Sequence, residues 1–65
     1  MNAFNKIKQL AENKETYELI QGVTILSNKS SLEVHERLTN AAMCDVIEER
    51  EGTEFIETLL DSIAR

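Results

Sequence analysis

The chain has no proline and no tryptophan, only two glycines, and a single cysteine and a single histidine among its 65 residues. Each scarcity excludes something. An all-β sandwich needs a turn signal every few residues, and two glycines without proline cannot supply them. One cysteine forms no intrachain disulfide, and no Cys/His cluster has the spacing of a structural zinc site. One tyrosine and two phenylalanines leave little surface on which nucleobases could stack. No glycine-rich phosphate loop occurs, and the longest apolar run, Ala41 to Cys44, is four residues, far short of a membrane span. The start, "MNAFNKIKQLAENK", lacks the apolar core of a signal peptide, and an unpaired thiol suits a reducing compartment; both point to the cytoplasm.

Charge is plentiful but uneven. The net charge is −5. Residues up to Ser31 carry four lysines against three acids, and Leu32 onward carries nine acids against three arginines, so the halves stand at +1 and −6. A negative balance opposes phosphate backbones, and direct nucleic-acid binding is not expected.

The patterning is helical. Stepping 100° per residue, Phe55, Ile56, Leu59, Leu60 and Ile63 share one arc, with Glu54, Glu57, Thr58 and Asp61 opposite. Thr53 is the expected N-cap of this helix, Gly52 the turn before it, and Asp61 with Arg65 an i,i+4 pair. Ser30 and Glu33 have capping-box spacing, which predicts a helix from about Ser31 to Glu49. Its apolar residues fall in two groups: Val34, Leu38 and Ala41 on one side, and Leu32, Ala42, Met43, Val46 and Ile47 on another. Nearer the start, Phe4, Ile7, Leu10 and Ala11 make a short amphipathic helix. From Tyr17 to Ser27 a helical face through Leu19, Ile20, Val23 and Leu26 competes with a strand or hairpin reading, because Tyr17/Leu19 and Val23/Ile25 also alternate.

These elements predict a single all-α domain over residues 1–65, a small bundle of three to four short helices completed by homo-oligomerisation. A chain this short buries little apolar surface, and a central helix with two apolar sides suggests that a second copy covers one of them. The expected interface is Leu32, Ala42, Met43, Val46 and Ile47, with Leu32, Met43, Val46 and Ile47 buried only on association.

Chemistry is sparse. The i±3 and i±4 neighbours of His35 are Ser31, Leu32, Leu38 and Thr39, which offer neither nucleophile nor metal partner. Cys44 stands next to Asp45 with no nearby cation, which does not activate a thiol. No Glu-x-x-His spacing or calcium loop occurs, so no cofactor is expected. The acids Glu48, Glu49, Glu51, Glu54, Glu57 and Asp61 read either as a solvated face or as a negative strip for a basic partner, whether another protein or the lysine-bearing first helix of a sister subunit. The functional expectation is a non-catalytic, protein-binding regulator or inhibitor acting as a homo-oligomer, of the kind encoded by phages or bacterial accessory regions. The competing expectation is an oligomer that holds a nucleotide-like anion between subunits, using Lys6, Lys8, Lys14 and the Ser30–Ser31 helix start.

Overall fold

The computed structural model describes residues 2–64, in which four helices follow one another: α1 (Ala3–Glu12), α2 (Thr16–Ser27), α3 (Val34–Glu51) and α4 (Thr53–Ala64). No strand occurs among the described residues. The partner residue of Asp61 expected from the sequence, Arg65, lies outside them.

Helix α1 starts where Asn2 caps it, its side-chain oxygen accepting from the Asn5 N–H at 2.8 Å. Helix α2 decides between the two readings of its segment. A strand would put Tyr17 and Leu19 on one face, yet Leu19 is 0% exposed and Tyr17 63%. Leu19 and Val23, one turn apart, point together into the core, while Ile25 faces outward.

Helix α3 begins at Val34 rather than Ser31, and its capping box lies three residues later than expected. Glu33 is the N-cap; its carboxylate takes the backbone N–H of Glu36, and Glu36 Oε1 accepts from Glu33 N–H at 2.9 Å. Glu33 and Glu36, at the same i,i+3 spacing, therefore do what Ser30 and Glu33 were expected to do. Ser30 and Ser31 stay exposed in the preceding loop. Gly52 ends the helix with φ at 97°, a conformation that a side chain disfavours, and its carbonyl then accepts from Ile56 N–H at 3.3 Å to start α4. Thr53 is thus the first residue of α4 rather than its cap, and its hydroxyl donates to Glu48 Oε2 at 3.0 Å.

The core is built on α3. Its buried residues Ala42, Met43, Val46 and Ile47 fall on one continuous arc, about 140° wide at 100° per residue. Helices α1 and α2 pack on α3, and α4 packs on α3 and α2. Ala11, Leu19, Val23 and Ile56 complete the buried cluster with Met43, Val46 and Ile47, and Ile20, Leu26, Cys44, Leu59 and Ile63 pack at its margin. Helix α2 comes close to α3 at Gly22, where an added Cβ would lie 2.9 Å from Met43 Sδ.

This corrects the expected interface. Ala42, Met43, Val46 and Ile47 are sheltered within one chain, so burying them does not require a second copy. Leu32 is half-buried in the loop before α3. The side left open is the other one: Val34 is 73% exposed, Ala41 is exposed and Leu38 half-buried. The sequence correctly shows two apolar sides on this helix, but the larger group faces the chain's own neighbours.

Candidate functional surface

Three features stand out on the surface: a charge junction between α1 and α3, an apolar groove beside it, and the acidic edge of α4.

At the junction, Lys8 Nζ donates to Glu49 Oε2 at 2.9 Å and lies 4.0 Å from Asp45 Oδ2. The bond to Glu49 holds the Lys8 ammonium above the usual lysine range, with the negative charges of Glu49 and Asp45 adding to the effect. The attraction between the lysine-bearing first helix and the acidic half of the chain, expected between copies, is here satisfied within one. Arg50 sits at the same side. Its Nη1 donates to Lys14 O at 2.8 Å and Thr16 Oγ1 at 3.1 Å, and its Nη2 donates to Glu12 O at 2.9 Å. One planar guanidinium thus ties Glu12 O, the last carbonyl of α1, and Lys14 O in the following turn to the start of α2. Nothing in the sequence marks this clamp, because two of its three acceptors are backbone carbonyls. The only cue is a lone arginine among acids.

The anion-binding set does not come together. Lys8 is engaged with Glu49, and the Lys14 carbonyl lies against Arg50 near the C-terminal end of α3. Ser30 and Ser31 precede the N-terminal end, about 24 Å away along the helix axis. Two N–H groups at that end, those of Glu36 and Glu33, are already taken by the carboxylates of Glu33 and Glu36. Lys29 also donates to Glu36, and this bond, with the one from Glu33 N–H, holds the Glu36 carboxyl below the usual carboxylate range. Lys6 is exposed on α1.

Helices α1 and α3 leave an open groove of about 220 Å³ lined by Ile7, Leu10, Ala11, Lys14, Thr39 and Met43. Its walls are almost wholly apolar. The Thr39 hydroxyl is turned to its own helix, donating to His35 O at 2.8 Å.

On α4 the outward arc carries Glu54, Glu57 and Asp61, all exposed, and Glu51 lies exposed at the end of α3. Among the described residues no ion pair involves Glu51, Glu54 or Glu57. The apolar arc of α4 is only partly covered: Ile56 is buried, Leu59 and Ile63 are half-buried, and Phe55 and Leu60 remain 40% and 39% exposed. Of the six acids expected to form one strip, Glu49 turns to Lys8 on α1, away from Glu54, Glu57 and Asp61 on α4, while Glu48 accepts from Thr53 at the start of α4.

Cys44 is half-buried, and burial followed by the charge of Asp45 pushes its thiol up, away from the reactive thiolate. His35 is exposed. Among the described residues no three His, Cys, Asp or Glu side chains are grouped so as to hold a metal ion, and no helix is long and apolar enough to cross a membrane. No protein-family model matches the chain, and neither a curated protein nor a solved structure does.

Proposed function

We propose that this protein is a non-catalytic binding module that regulates another protein through the edge of α4. The observation that carries the reading is the pairing of two partly exposed large apolar side chains, Phe55 and Leu60, with a face of carboxylates on the same helix. An apolar strip bordered by negative charge complements an amphipathic helix whose apolar face is flanked by lysine or arginine: burial supplies affinity, and charge supplies steering and register. Phe55 is the expected anchor, since aromatic side chains dominate interface energetics.

The test is affinity capture from the native host with the wild-type chain, Leu60→Ser and a triple Glu51→Lys, Glu54→Lys, Glu57→Lys variant. Both variants are expected to keep the fold, because all four positions are at the surface. The charge reversal should weaken capture by about tenfold or more and remove its salt sensitivity. A partner held as tightly by the reversed chain would contradict this reading.

The homo-oligomeric part of the proposal moves to the uncovered side of α3, where Val34, Leu38 and Ala41 repeat at i, i+4 and i+7. Leu38→Glu is expected to lower the molar mass in sedimentation equilibrium to that of one chain without loss of helicity. A wild-type chain that sediments as a monomer at all concentrations, or a variant that stays associated, would rule out assembly through this strip.

A further inference from the structure

We infer that the groove between α1 and α3 is a binding site for a small amphiphilic carboxylate, an aliphatic chain of about six to eight carbons ending in one acid group. Three observations lead there. The groove holds about 220 Å³ and its floor and walls are Ile7, Leu10, Ala11 and the Met43 thioether, so it suits an unbranched hydrocarbon rather than a sugar or nucleotide. A groove of this size, open along one side, takes a short alkyl chain lying lengthwise and is too small for a long lipid tail.

The second observation is electrostatic. Lys14 is the one charged residue lining the groove, and no ion pair involves it among the described residues, whereas Lys8 and Lys29 are each paired with acids. No carboxylate lines the space. In a chain of net charge −5, the cation beside this groove is available to receive an acidic head group.

The third is that the site is held in shape. Arg50 fixes the Lys14 carbonyl and thereby the turn from which the lysine projects. Met43, long and unbranched, lines the groove on one side and lies close to Gly22 on the other, so its thioether can adjust to a flexible chain. Leu10, 61% exposed, gains cover when a chain lies along it.

The test uses sodium octanoate below its micellar concentration, with 1-octanol and octylammonium as neutral and cationic counterparts, followed through the Met43 methyl resonance. Octanoate is expected to give a saturable shift at Met43 and to bind more tightly than either counterpart. Lys14→Met should weaken octanoate about threefold, the scale of one exposed ion pair, and leave octanol unchanged. Gly22→Ala, whose new methyl displaces the thioether toward the groove, should weaken both ligands while leaving helicity intact. Octylammonium binding as tightly as octanoate, an unchanged octanoate affinity in Lys14→Met, or no saturable shift at Met43 would each overturn the assignment. None of these readouts involves α4, so they stand apart from the test of partner capture.

Discussion

Ile47→Ala is expected to bring the protein close to the limit of folding. Ile47 is fully buried where α3 meets its neighbours, and truncating such a side chain removes transfer energy and leaves a cavity, together about 2–5 kcal/mol. A chain of 65 residues has a total stability of about 3–10 kcal/mol at ordinary per-residue values. The loss is therefore a large share of the whole. At about 4–8 °C per kcal/mol for a domain of this size, the thermal midpoint by circular dichroism should fall by more than about 10 °C. The control is Ile25→Ala on the outer face of α2, which should change stability by no more than about 0.5 kcal/mol. The comparison also separates two accounts of α3. If Ile47 is core within one chain, its destabilisation does not depend on protein concentration; if it belonged to an interface, the midpoint would recover as concentration rises.

Arg50→Met should produce the second large effect, confined to one end of the molecule. The substitution keeps much of the aliphatic stem but removes the three donations to Glu12 O, Lys14 O and Thr16 Oγ1. Because the clamp is exposed, water replaces part of what is lost, and the cost is expected to be about 1–3 kcal/mol. Hydrogen exchange should locate it: amides at the C-terminal end of α1 and the start of α2 lose protection, while those around Val46 and Ile47 change less, because they lie in the buried core that the clamp does not touch. Arg50→Lys should recover little, since a single ammonium cannot reproduce a planar fork spanning three acceptors. Equal loss of protection throughout the molecule would show that the clamp is part of the global fold and not a local strap.

The sequence conveys the helices better than their relations. α4 is legible because its apolar residues keep one phase, and α1 because Phe4, Ile7 and Ala11 do. In α2, β-branched residues imitate a strand, and only the contrast between buried Leu19 and exposed Tyr17 excludes one. The cap of α3 is displaced because Glu33 and Glu36 repeat the i,i+3 spacing of Ser30 and Glu33, and Glu33 takes the N-cap position in place of Ser30.

What periodicity does not encode is which helix covers which face. The two apolar groups on α3 are visible in the sequence, but the assumption that so short a chain cannot shelter the larger one fails, since α1, α2 and α4 all reach it. The same limit applies to charge. The imbalance between the halves is plain from composition, yet Lys8 meets Glu49 inside one chain, so the asymmetry serves intrachain packing at this point. Lysine 14 is recognisable as a cation in the sequence; that it borders an apolar groove depends on how α1 crosses α3.

The claim at the centre of this account is that α4 presents its edge to a partner protein. Site-specific photo-crosslinking in the native host tests it most directly, with a photoreactive amino acid placed at Phe55 or Leu60 and, as comparison, at Glu18 or Gln21 on the outer face of α2. The account predicts one discrete adduct from positions 55 and 60 that disappears when Glu51, Glu54 and Glu57 are reversed to lysine, and none from positions 18 and 21. Adducts from the α2 positions alone, or adducts at 55 and 60 that persist after charge reversal, would contradict it.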